Sequence, residues 1–107
     1  MVSAGLDGHY TDPVASLSLS ALCYQEIYEI IVNLASEICE GRLVSVLEGG
    51  YSLKFVGKIA VAAIAKMSGA LYIVDDKVPA TSKRSRRQCE KIIEDVKEVQ
   101  KAFWNID

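Results

Sequence analysis

The chain has no apolar run long enough to cross a membrane; Glu, Lys or Gly breaks each one well short of about 18 residues. Its N-terminus also lacks the basic-then-apolar layout of a secretory leader, so a cytoplasmic location is the expectation. Cysteines are few: Cys23, Cys39 and Cys89 are widely spaced, form no C-x-x-C pair and have a single histidine to join them. That argues against a structural zinc knot and an oxidising compartment, and reads all three as reduced thiols on helix faces. Neither sign of charge dominates, with 12 basic residues against 14 acidic ones. A polyanion partner is therefore not indicated, and with 50% hydrophobic residues neither is disorder. G-x-G-x-x-G and G-K-[ST] are absent, which sets nucleotide binding aside. At 107 residues the sequence is that of one soluble globular domain, without internal repeats.

What is present reads as alternating strands and helices. Residues 2–4 are β-prone, stop at Gly5, and resemble the end of a strand whose beginning is absent. Leu22, Ile27, Ile30, Ile31, Leu34 and Ile38 recur at helical spacing over residues 20–40, and Gly41 can take a left-handed C-cap. "LVSVL" at 43–47 reads as a buried strand. Residues 53–67 predict a helix covered on both sides, because it is apolar nearly all round, and Gly69 ends it. "LYIVDD" at 71–76 is a short strand or an extended connector, and "VPATS" at 78–82 is a linker. The last helix, 85–104, carries Cys89, Ile92, Val96, Val99 and Phe103 three and four apart with charge on its other faces. Its stripe is expected to dock on its own domain rather than pair between subunits. The basic cluster Lys83, Arg84, Arg86 and Arg87 before it is offset by Glu90, Glu94, Asp95 and Glu98, so a nucleic-acid role is not expected.

The fold class that follows is α/β: a partial Rossmann-like parallel sheet with flanking helices, over residues 1–76, then a linker and an amphipathic tail helix over 77–107. In such folds ligands bind beyond the carboxyl ends of the strands. Two unusual segments fall there, "GLDGHYTDP" from Gly5 to Pro13 and "EGGYS" from Glu48 to Ser52. Asp7 could be a metal ligand, a base or a cap, and with His9 it has the D-x-H form of a paired metal site. Asp12-Pro13 is a turn signature in which Asp12 accepts from the loop's own amides. Tyr51 follows Gly49 and Gly50, so its hydroxyl either enters the cleft or belongs to the core.

Taken together, "SAGLDGHYTDPV", a helix, "LVSVLEGGYSL" and a Gly/Ala-rich helix resemble the C-terminal third of the zinc-dependent histone deacetylase superfamily. That superfamily includes acetoin-utilisation proteins and acetylpolyamine amidohydrolases. The pattern is matched at Gly5, Asp7, Asp12, Pro13, Gly49, Gly50 and Tyr51, and the resemblance covers about residues 2–69. It implies the C-terminal part of the arginase/deacetylase fold, with Asp7 as one zinc ligand and Tyr51 as the group that hydrogen-bonds the scissile carbonyl. Asp12 becomes loop scaffolding, Val14 lines the substrate channel, and His9 is a neighbour of the ligand rather than a ligand. Val14 and Leu6 depart from the residues usual in the family, which bears on the substrate.

The family's other zinc ligands and its two general-base histidines lie upstream of the matched segment. One histidine cannot replace them, so this polypeptide alone is not expected to be a deacetylase. Two roles follow as expectations. The first is the C-terminal fragment or subunit of a zinc-dependent deacetylase, completed by a chain carrying the N-terminal part. The second is a non-catalytic remnant that self-associates through open sheet edges as a scaffold.

Overall fold

Short segments of β-branched and small residues, Val2–Ala4 (β1) and Ser45–Leu47 (β2), pair as parallel strands in the computed structural model, which describes residues 1–106. Val2 lies opposite Ser45, Ser3 opposite Val46 and Ala4 opposite Leu47. Parallel neighbours require a crossover, and helix α1 (Ala21–Cys39) provides it. Helices α2 (Val56–Ser68) and α3 (Lys83–Gln100) follow. The architecture is the expected α/β, with a two-stranded sheet among the described residues.

Strand alternation decides which face is covered. Ala4 is buried with Tyr28 of α1 and Ala63 of α2, and Val2 packs against the same cluster. The Tyr28 hydroxyl shares a 2.5 Å hydrogen bond with Ser45 Oγ, tying α1 to β2. Ser3 and Val46 alternate to the opposite face, where the Ser3 hydroxyl donates to the Glu48 carboxylate. A second cluster sits under the ends of the strands: Leu6, Ala21, Tyr24, Phe55 and Ile59. It is the floor on which the loops of the candidate site rest.

Local signals start α1 and α3 and end α2. The Ser20 hydroxyl accepts from the Cys23 amide at 3.1 Å and starts α1. Glu40, not Gly41, forms its C-cap, at φ 56°, and Gly41 continues in the same region at φ 74°. Gly69 ends α2 at φ 71°, the conformation glycine adopts without a Cβ penalty. In α3 the Ser82 hydroxyl accepts from the Ser85 amide.

Three expectations about burial are overturned. The inward face of α1 is Ala21, Tyr24, Tyr28 and Ala35, whereas Leu22, Ile30, Leu34 and Ile38 stand exposed. In β2, Val46 and Leu47 are 48% and 61% exposed rather than buried. In α2 only one side is covered; Ile59, Ala62, Ala63 and Ala65 are buried but Val61 and Ile64 are bare. A single helix layer on one face of a narrow sheet leaves Val46 and the outer face of α1 without a second layer to contact, whereas Leu47 shares the covered side with Ala4 and is exposed all the same. The tail is a fourth correction. Helix α3 packs on none of the other helices or strands, and its apolar stripe of Ile92, Val96 and Val99 is exposed. Phe103, expected on the same stripe, lies exposed in the turn beyond its end at Gln100.

Residues 70–82 resolve the open alternative in favour of a connector without strand pairing. The connector is nonetheless fastened: the Gln25 side chain donates to the Tyr72 carbonyl, and the Lys58 ammonium donates to that of Asp75. No helix among the described residues is long and apolar enough to cross a membrane.

Candidate active site

The two unusual loops meet, and Asp12 joins them. Its Oδ1 accepts from the amides of Val14 (2.9 Å) and Ala15 (3.3 Å), which is Asp-Pro turn chemistry. Its Oδ2 accepts from the amides of Tyr51 (2.7 Å) and Ser52 (3.2 Å), which belong to the second loop. Burial pushes the Asp12 carboxyl up, but the amides of Val14, Tyr51, Ala15 and Ser52 outweigh it and hold its pKa below the usual value. Asp12 is therefore an ionised clamp, fully effective above the ordinary carboxylate range and weakening as acid protonates it.

Asp7 stands at the end of β1, where the backbone of Leu6 donates to the Gly49 carbonyl at 2.8 Å. Its carboxylate accepts no hydrogen bond among the described residues. Glycines wall it on two sides. A Cβ on Gly5 would come within 2.7 Å of Asp7 Oδ1, and one on Gly49 within 3.2 Å of its Cγ. Gly50 has φ 142°, and a Cβ there would meet Leu6 Cβ at 2.9 Å, so the turn into Tyr51 needs glycine on both counts. Tyr51 is 51% exposed and its hydroxyl bonds to no described residue. Pro13 and Val14 lie on open surface.

A free carboxylate at the strand ends, in a cradle kept open by glycine, suits a metal ligand, but it is one ligand. Among the described residues no three His, Cys, Asp or Glu side chains come together to hold an ion. His9 cannot be the second, which disposes of the D-x-H pairing. Its ring is wholly buried, stacked on Phe55 at 4.5 Å, with both nitrogens engaged.

The partners of His9 lay beyond what the sequence indicated. Nε2 lies 2.9 Å from Asp76 Oδ2, with both side chains fully buried. Nδ1 lies 2.8 Å from Thr11 Oγ1 and accepts from the Thr11 amide at 3.3 Å. A carboxylate can only accept and an amide N–H can only donate, so the proton sits on Nε2 and the ring is neutral. The Thr11 hydroxyl then donates to Nδ1 and accepts from the Ser52 hydroxyl, 2.6 Å away. Asp76 also accepts from the Tyr10 hydroxyl and from the amides of Ala21 and Lys77. Burial raises the Asp76 pKa, but the Ala21 amide, His9, Tyr10 and the Lys77 amide together bring it below the ordinary value. The available sequence signal was indirect: a lone histidine in an apolar setting needs two partners, and Asp75-Asp76 interrupts an apolar stretch without being in a turn.

A histone deacetylase domain model matches residues 1–67. The chain belongs to the histone deacetylase family. It is 38% identical over 112 residues to a probable deacetylase of Archaeoglobus fulgidus, covering 96% of this chain and 31% of that protein. Histone deacetylase 14, chloroplastic, of Arabidopsis thaliana is 46% identical over 54 residues, which is 50% of this chain and 13% of the relative. The solved HDA15 HD domain superposes with a TM-score of 0.68 at 26% identity, covering 95% of this chain and 26% of its own. The chain thus spans about a third or less of the length of these relatives.

Proposed function

We propose that this chain is the C-terminal part of a cytoplasmic zinc-dependent deacetylase that hydrolyses acetylated lysine or small acetylated amines. In this reading Asp7 provides one zinc ligand and the Tyr51 hydroxyl donates to the oxyanion of the tetrahedral intermediate. Bound zinc would supply Lewis acidity and a water of lowered pKa. The carrying observation is the Asp12 clamp, which brings the Tyr51 backbone to the loop that presents Asp7. The family match and the unbonded Asp7 carboxylate support it. The remaining ligands and the general base come from a deacetylase segment outside this chain, and the chain alone is inactive.

The test is zinc bound per chain after equilibration with a slight excess of metal. It is run on the wild type and on Asp7→Ala, each alone and mixed with the N-terminal two-thirds of the Archaeoglobus fulgidus relative. Neither chain alone should hold stoichiometric zinc. The wild-type mixture should hold one ion per complex, and Asp7→Ala should lose it. Equal zinc in both mixtures would remove Asp7 from the site.

A second reading, a non-catalytic oligomeric interaction module, is favoured by the apolar surface left bare on α1, β2 and α3. An open edge strand beside such surface is a template for another chain. Sedimentation equilibrium at micromolar concentration should then show a dimer or larger species that Ile30→Glu with Leu34→Glu returns to monomer. A wild-type monomer would dismiss self-association.

A further inference from the structure

Asp76 lies beyond the residues matched by the deacetylase model, in a connector with no regular structure, yet its side chain is fully buried and accepts four hydrogen bonds. Two of its donors fix the scaffold: the Ala21 amide opens α1 at 2.7 Å, and the Lys77 amide turns the connector at 2.8 Å. The other two reach the first site loop, through the Tyr10 hydroxyl and His9 Nε2. From His9 the chain of bonds continues through Thr11 to Ser52, the residue after Tyr51.

We propose that Asp76 is a positioning residue of the candidate active site, holding the Tyr51 loop in place through His9, Thr11 and Ser52. The proposal rests on the reading of Asp7 and Tyr51 as active-site groups, but its geometry does not depend on the chemistry. The Tyr51 loop is held from two directions. Asp12 grips the amides of Tyr51 and Ser52. The relay grips the Ser52 side chain and is referenced to the start of α1. Two independent restraints define where a side chain between them stands, and one leaves it free to pivot; a catalytic donor must be held to within a fraction of an ångström to act. The connector is thereby part of the site.

The experiment is amide hydrogen exchange on the full chain, read at Tyr51 and Ser52 against core amides of α2. Asp76→Ala should speed exchange at Tyr51 and Ser52 about tenfold or more beyond what lost global stability explains. The reference is wild type in denaturant adjusted to the same global stability. Thr11→Val is near-isosteric at an exposed position and cuts the relay without touching Asp76. It should reproduce the local effect, and it keeps the test available if Asp76→Ala does not fold. Asp76→Asn, which retains an acceptor for His9, should restore part of the protection. Exchange at Tyr51 and Ser52 that follows global stability alone in both Asp76→Ala and Thr11→Val would overturn the proposal. Faster local exchange in a chain whose mixture binds no zinc would uphold the positioning and sink the catalytic reading instead.

Discussion

In the zinc-loaded complex, Tyr51→Phe should lower kcat by about 10²–10³-fold, the loss that follows removal of one oxyanion donor, while zinc content and unfolding midpoint stay unchanged. The stability half of this expectation comes from the structure. The Tyr51 side chain is half exposed and its hydroxyl has no described partner, so the substitution breaks no internal bond. What holds the residue is its backbone amide on Asp12, which phenylalanine keeps. A surface change of this kind stays within about 0.5 kcal/mol. The kinetic half is an argument about differential binding. A hydroxyl near a ground-state carbonyl gains little, whereas the same hydroxyl facing a developing oxyanion gains a charge-assisted bond, so the loss falls on kcat rather than KM. Steady-state kinetics of deacetylation by the mixture would decide the matter. A loss below tenfold, or one confined to KM, would take Tyr51 out of the transition state.

How much of this was legible beforehand differs by kind of signal. Local chemistry reads well. The glycine stop at 69 and the Asp-Pro turn at 12–13 depend on neighbours only a few positions away, and the stop expected at Gly41 falls one residue early, on Glu40. Periodicity reads half well. It located α1, α2 and α3, but the row of Ile30, Leu34 and Ile38 says that a face is apolar and not what lies against it; here the core side is set by Tyr24 and Tyr28, whose hydroxyls reach the Gly5 carbonyl and Ser45. Long-range arrangement reads only coarsely: the parallel sheet and the meeting of the two strand-end loops were expected from the strand and helix order, but the individual bonds were not. The second pair of Asp12 partners lies 39 and 40 positions away, and Asp76 lies 67 positions from His9. Such contacts are set by where the crossover and the connector return, and a single sequence does not encode that in any local pattern.

The same buried pair sets the largest expected loss of stability. His9→Leu should cost about 1.5–3 kcal/mol, the range for losing a hydrogen bond to a charged group, out of a total that for a domain is about 5–15 kcal/mol. Leucine fills much of the space against Phe55 but leaves Asp76 Oδ2 charged in a wholly buried place with only the Ala21 amide against it, and takes from the Thr11 hydroxyl its acceptor on Nδ1. The sign of the pH dependence follows from Asp76. Its folded pKa is lower than its unfolded one, so its stabilisation is complete above the unfolded carboxylate range and is lost as pH falls through the folded value. Removing the His9 donor moves the folded value upward, so the acid-side loss in His9→Leu should begin at higher pH than in wild type. Adding Asp76→Leu should recover only part of the deficit, because the burial penalty disappears but the Ala21 amide and the Tyr10 hydroxyl lose their acceptor. Urea midpoints of the three proteins between neutral and acid pH would measure both effects. A His9→Leu midpoint equal to wild type at neutral pH would mean that the dyad contributes nothing to holding the connector, and that Phe55 packing alone accounts for the buried ring.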